Sequence, residues 1–337
     1  MAFLDMTLEQ LSSAVAETGE KPFRARQLAE WVYRKGVTDP AAMTNLPKAL
    51  AERFEILTSR LAGRADSADG TVKLLLELSD GERIECVLIP TERFATVCLS
   101  TQAGCAMGCA FCATGLGGLR RNLSAGEILE QVLHLQSACG RKVTHAVFMG
   151  MGEPLANYDA TVAAVRALTD PARFGLSARR VTVSTVGLPG PIRRLAKENL
   201  PITLAISLHA PNDALRRELI PAAAKVPLER ILSAAQEFYD ARGREVTLEY
   251  VLLGDVNDTP VCAEALAKIA GRLRCNVNLI RYNPVPSLPF RSPSGRAVRA
   301  FAERLARRGI NVHVRRSRGA DADAACGQLR QRTEPQA

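Results

Sequence analysis

"TQAGCAMGCAFCATG" occupies residues 101–115 and sets Cys105, Cys109 and Cys112 in the spacing C-x3-C-x2-C. A tetrahedral zinc site takes four ligands, and a disulfide framework takes an even number of thiols. This stretch offers three cysteines and no histidine. Three thiolates suit a cubane 4Fe-4S cluster, whose fourth iron is then left open to a small molecule. Taken alone, the triplet also allows a zinc knuckle with a remote fourth ligand, or three free thiols.

The flanks of the triplet indicate the fold. Before it, "ATVCLS" (95–100) reads as a strand. After it, Ser124 with Glu127 three residues on makes a capping box that opens the helical run "AGEILEQVLHLQ". Further β-rich runs are "HAVFMG" (145–150), "RVTVS" (180–184), "ITLAIS" (202–207), "VTLEYVLL" (246–253) and "VNLIRY" (277–282), with "NVHV" (311–314) a further candidate. Helical periodicity fills the intervals. Some six βα units predict an α/β fold with a parallel sheet, either open and doubly wound or curved into a barrel. Upstream, residues 1–57 read as helical, and "TVKLLLELSDGERIECVLIP" (71–90) reads as a β-hairpin turning at Ser79-Asp80-Gly81.

The unusual residues gather just past the strand ends. The cysteines follow the first strand, "GMGEP" with Gly152 and Glu153 the second, and Ser184 ends the third. The fourth leads into "SLHAPND", with Ser207 and His209, and Asn283 follows the sixth. Parallel α/β folds bind ligands at the carboxyl ends of their strands, so one pocket is expected to collect these groups.

Composition narrows the partner. The chain has 337 residues, 47% of them hydrophobic, and nothing approaching the roughly 20-residue apolar run that spans a bilayer. Asp5 and Glu9 interrupt any signal-peptide core, so a cytoplasmic protein with reduced thiols and no membrane association is expected. The formal charge is +9, with eight arginines against Glu303 between Arg296 and Arg318. Lys21, Arg24, Arg26, Arg34 and Lys35 form a second cluster beside Phe23, Trp31 and Tyr33. Such patches point to a polyanion, foremost nucleic acid.

The triplet in the first βα loop resembles the signature of the radical S-adenosylmethionine enzymes. "FRARQLAEWVY", "CAFCATGLGGLRRNLSAGEI", "FMGMGEPL", "VTVSTVG", "AISLHAPND" and "DADAACGQL" together resemble the bacterial adenine methyltransferases that act on carbon 2 in 23S ribosomal RNA. That resemblance runs over essentially the whole chain. It implies a partial (βα)6 barrel behind a small helical domain. The expected division is an RNA-binding helical unit at 1–57, a hairpin connector at 58–90, the barrel at 91–325 and a tail at 326–337.

The resemblance also implies roles. Cys105, Cys109 and Cys112 ligate one 4Fe-4S cluster. Gly152, Glu153, Ser184, Ser207, Leu208, His209 and Asn283 contact S-adenosylmethionine, with Glu153 suited to the methionyl ammonium and the hydroxyl and amide groups to carboxylate and ribose oxygens. Carbon 2 of adenine is electron-poor, so direct methyl transfer fails. Cys326 instead carries the methyl group from one cofactor molecule, and a second, reductively cleaved, activates it. Glu85 acts as base and Cys98 releases the product, leaving a disulfide with Cys326. Transfer RNA as a further substrate, flavodoxin or ferredoxin as reductant, and a monomeric state complete the expectation. Cys86, Cys139, Cys262 and Cys275 match no motif and are read as structural. Methylation at carbon 8 and a non-catalytic zinc-containing RNA-binding protein stand as alternatives.

Overall fold

A computed structural model describes residues 2–329. Ten strands form one sheet. They are β1 (Arg60–Asp66), β2 (Val72–Glu77), β3 (Arg83–Pro90), β4 (Ala95–Cys98), β7 (His145–Phe148), β8 (Val181–Thr185), β9 (Thr203–Ser207), β10 (Val246–Leu252), β11 (Cys275–Arg281) and β12 (Val312–Arg315), in that spatial order. The other two, β5 (Gln102–Gly104) and β6 (Leu119–Asn122), pair as a separate hairpin.

From β4 to β12 every pairing in the large sheet is parallel. Helices follow the strands as crossovers: Ala125–Cys139, Tyr158–Thr169, Pro189–Ala196, Leu228–Arg242, Pro260–Ala270 and Gly295–Arg307. The expected partial barrel of parallel βα units is present, and "NVHV" supplies the seventh parallel strand. Local chemistry sets the helix ends. Ser124 and Glu127 make the reciprocal capping box, and Gly140 closes that helix in the left-handed region.

The hairpin of residues 71–90 continues the sheet, because β3 pairs antiparallel with β4 along Val87–Pro90. β1 adds a strand for which no sequence signal was evident. Its side chains are exposed or half-buried, and Gly63 sits where the register slips, so no apolar alternation marks it. The helical amino-terminal region docks on the first crossover helix. Asp5 accepts from the N–H of Gly126 at 2.6 Å, an anion at a helix amino terminus. The buried Glu130 carboxylate accepts from the backbone of Thr58 and Ser59, both at 2.8 Å.

Candidate active site

The cysteine loop is shaped by its own hairpin. β5 leads in, β6 leads out, and the N–H of Cys105 donates to the carbonyl of Gly118 at 2.8 Å. Gly104 has φ +77°, and a Cβ there would lie 2.0 Å from the Gly118 oxygen, so only glycine closes this neck. No sequence signal for β5 and β6 was evident, since each is only three or four residues long.

Cys105, Cys109 and Cys112 line one cavity of about 160 Å³ together with Gly152, Glu153, Ser184, Ser207 and His209. The strand ends do converge. Glu153 is buried, and its carboxylate accepts from the N–H of Leu155 at 3.0 Å and of Val186 at 2.8 Å. Burial pushes its carboxyl up to about 7, against those hydrogen bonds. Among the described residues no cation pairs with this buried carboxylate, which suits an incoming ammonium. Gly152 has φ +100°, and a Cβ there would strike the Gln102 side chain at 2.6 Å, so the motif's glycine is required sterically. Ser184 and Ser207 hydroxyls lie 3.2 Å apart. His209 accepts from the N–H of Val251 at its Nδ1 (3.0 Å), and burial holds its basicity down to about 3. The ring is therefore neutral with its proton on Nε2. Leu208 lies wholly in the core, and Asn283 is turned elsewhere.

Asn283 belongs to a neighbouring cavity of about 270 Å³, which also takes Cys98 and Cys326. The Asn283 amide donates to the carbonyl of Cys326 at 3.3 Å. The segment carrying Cys326 is pinned: Ala113 N–H donates to Gly327 at 2.8 Å and the Thr114 hydroxyl to Leu329 at 2.6 Å. Residues 330–337 of the expected tail lie outside the described residues. Cys98 is buried, which pushes its thiol up to about 12, while Cys326 is exposed. All nine cysteines are free thiols, so the expected Cys98–Cys326 disulfide is not formed in this structure. Glu85 lines neither cavity. It is buried on the same face of β3 as Val87, the partner of Cys98, and forms an ion pair with Lys73 at 2.9 Å.

Arg315 lines both cavities. Its Nη1 lies 3.5 Å from the buried Glu249, and Cys326 is the strongest influence on its charge, with Cys98 also acting. The expected basic surface from Arg296 to Arg318 is thus interrupted. Arg315 faces inward, and Arg304 and Arg308 pair with Glu264 at 3.2 and 2.7 Å. Glu249 escaped the sequence reading, and Arg315 was expected only as part of the basic RNA-facing stretch. An acid inside "VTLEYVLL" was the available signal, since a charge in a buried strand needs a partner.

This fold and cavity define a radical S-adenosylmethionine enzyme. The profile of the Radical SAM superfamily matches residues 99–263, and that of the Ribosomal RNA large subunit methyltransferase N-terminal domain matches residues 1–58. The chain is 47% identical to the "Probable dual-specificity RNA methyltransferase RlmN" of Thermosynechococcus vestitus, across 98% of both chains. It is 45% identical to the protein of the same name from Rhodopirellula baltica, over 97% of this chain and 90% of that one. A crystal structure of a radical SAM methyltransferase from Sphaerobacter thermophilus superposes with a TM-score of 0.95 at 45% identity, covering 99% of this chain and 100% of that one. The chain belongs to the RlmN family of radical SAM RNA methyltransferases. That membership sets aside the non-catalytic zinc alternative.

The family implies a 4Fe-4S cluster and S-adenosylmethionine. The donor set fits: three soft thiols line one cavity together with Glu153 and the two serines. Among the described residues, no three His, Cys, Asp or Glu side chains are gathered for a single metal ion. No helix among them is long and apolar enough to cross a membrane.

Proposed function

We propose that this enzyme methylates carbon 2 of an adenine in 23S ribosomal RNA, and of transfer RNA as its second substrate, through a methyl group carried on Cys326. The observation that carries the reading is the meeting of Cys98 and Cys326, far apart in sequence, in a cavity that shares Cys112, Met149 and Arg315 with the three-cysteine cavity. A methyl carrier must reach both cofactor and base, and Cys326 lines both spaces. The relatives' description as dual-specificity suits two RNA classes.

When bound by Cys105, Cys109 and Cys112, the cluster and S-adenosylmethionine supply the hydrogen-abstracting chemistry that an unactivated aromatic carbon demands. The chain's residues do the rest. Gly152, Glu153, Ser184, Ser207 and His209, which line one cavity, form the cofactor-binding set, with Glu153 taking the ammonium. Cys326 accepts the methyl group from a first cofactor molecule, and a second molecule is consumed in activating it. The carbon on sulfur then bonds to the base, whose ring regains aromaticity by giving up its proton and one electron, the electron passing to the flavodoxin- or ferredoxin-class carrier. Glu85, paired with Lys73, takes the ring proton. The Cys98 thiolate attacks the Cys326 sulfur and breaks its bond to the product carbon, which takes up a proton to complete the methyl group; the disulfide left behind is reopened by two electrons from a flavodoxin- or ferredoxin-fed reductant.

The test is mass analysis of nucleosides from ribosomal and transfer RNA, with and without the active protein. The expected product is 2-methyladenosine in both pools, absent with Cys109→Ala, which also loses its iron. Finding 8-methyladenosine would overturn the carbon-2 assignment. An unmodified transfer RNA pool would restrict the enzyme to the ribosome.

A further inference from the structure

Glu249 is a buried acid with no part in the proposed reaction. It stands on β10, in register with Ser207 of β9 and Asn278 of β11. Residues paired in this way share a face of the sheet, so its carboxyl joins a row with Ser207 and, across the 3.2 Å contact of the two hydroxyls, Ser184. The residue is 3% exposed and lines the three-cysteine cavity. The Asn278 amide donates to Oε1 at 2.9 Å. Among the described residues Oε2 makes no hydrogen bond, and Arg315 approaches it only to 3.5 Å. Buried polar atoms are nearly always satisfied, so Oε2 marks a place in the cavity wall for a partner that the described residues do not supply.

The cavity narrows the identity of that partner. The three cysteines and Glu153, after β4 and β7, take the end of the cofactor that carries the ammonium. Ser184, Ser207 and Glu249 follow on β8, β9 and β10, each strand roughly 4.8 Å from the last. That order leaves the row to the remainder of S-adenosylmethionine, whose donors are two ribose hydroxyls and the adenine amino group. Burial pushes the Glu249 carboxyl above its usual range, against Arg315 and Asn278. With Oε1 held by Asn278, a proton on this group would sit on Oε2. A hydroxyl both donates and accepts, so it satisfies Oε2 in either state, whereas an amino group satisfies only the carboxylate.

We propose that Glu249 is a further cofactor-binding residue, its Oε2 hydrogen-bonded to a ribose hydroxyl of S-adenosylmethionine. It thereby selects the ribonucleoside, since a deoxy analogue leaves the buried oxygen unpaired. The inference rests on the cofactor occupying the three-cysteine cavity, and the experiment keeps the two apart.

Binding of S-adenosylmethionine and of its 2′-deoxy, 3′-deoxy and 6-deamino analogues is measured by equilibrium dialysis. The proteins are anaerobically reconstituted wild type, Glu249→Gln and Glu153→Gln, with iron content and thermal unfolding as checks on folding. In Glu249→Gln the Asn278 amide keeps its oxygen, and a nitrogen replaces Oε2. Wild type is expected to bind one deoxy analogue about tenfold more weakly than the parent, and Glu249→Gln to lose about tenfold for the parent and little for that analogue. Glu249→Asp keeps the charge but withdraws the oxygen; it is expected to fall between the two, and it replaces Glu249→Gln if that variant loses its iron. Equal losses for parent and analogues, which a purely structural role would give, overturn the ribose contact. So does a wild type that discriminates only against the 6-deamino analogue. Undiminished binding by Glu153→Gln overturns the cofactor's placement in this cavity instead.

Discussion

The cavity of Cys105, Cys109 and Cys112 and the cavity of Cys98 and Cys326 share a wall but are built in opposite ways. In the first, successive strands each deliver one short motif to a common rim: the cysteine loop after β4, "GMGEP" after β7, Ser184 on β8 and "SLH" at β9. In the second, the parts come from distant places: Cys98 inside β4, Asn283 after β11, and a segment near the end of the chain held by single hydrogen bonds to Ala113 and Thr114. The first has most of its wall once the barrel closes, with Cys326 and Gly327 completing it. The second exists only after residues 324–329 have docked.

The largest expected effects separate the two cavities by the step at which turnover stops. Cys109→Ala should lose iron and every downstream event. Cys326→Ala and Cys98→Ala should each abolish product while keeping iron and reductive cleavage of the cofactor. Only Cys98→Ala should accumulate covalently attached RNA that survives denaturation and shrinks on nuclease digestion, because nothing displaces the sulfur-bound base. Denaturing gels of the three proteins check this. If folded, iron-loaded Cys98→Ala runs free of RNA, the second cavity is not where the adduct is resolved.

The same contrast explains what the sequence discloses. Strands β7 to β11 repeat apolar runs at regular intervals, and each site motif of the first cavity is contiguous, so a one-dimensional reading finds both. Asn283 shows the limit: it stands in the right loop, but its amide is committed to the Cys326 backbone in the other cavity. Glu85 looks like a solvated hairpin residue, since nothing nearby in sequence announces its burial or its pairing with Lys73 across the hairpin. Arg315 reads as surface charge because a run of arginines carries no periodicity that distinguishes an inward member. In these cases a partner remote in sequence decides the placement, and a single sequence does not encode such pairings locally.

A smaller effect is expected at a buried pair that lines neither cavity but is tied to the segment carrying Cys326. Lys73 pairs with Glu85 and also donates to the carbonyl of Asp323 at 3.1 Å, three residues before Cys326. Both side chains of the pair are nearly excluded from solvent, at 11% and 3% exposure. Lys73→Met leaves a buried carboxylate without its cation and should destabilise the iron-loaded enzyme by about 3–5 kcal/mol in urea unfolding. Lys73→Met with Glu85→Gln should cost clearly less than the sum of the single changes, as coupled partners do. Additive losses would mean that the pair does not hold this region together.

The mildest effect concerns RNA, where the inward turn of Arg315 divides two neighbouring arginines by function. Arg316 is exposed on the rim of the second cavity, whereas Arg315 is half-buried against Glu249 and the two cysteines. A phosphate contact releases counterions, so each one contributes roughly one unit to the slope of log K against log salt. Arg316→Gln should weaken RNA binding by a few fold and flatten that slope by about one, with turnover at saturating RNA nearly unchanged. Arg315→Gln should leave the slope intact and slow turnover, because it removes the cation facing Cys326 and Cys98. Binding isotherms at several salt concentrations, run beside single-turnover assays, distinguish the two. A flattened slope with Arg315→Gln would show that its guanidinium reaches phosphate after all, and the second cavity would then open onto RNA more widely than its half-buried wall implies.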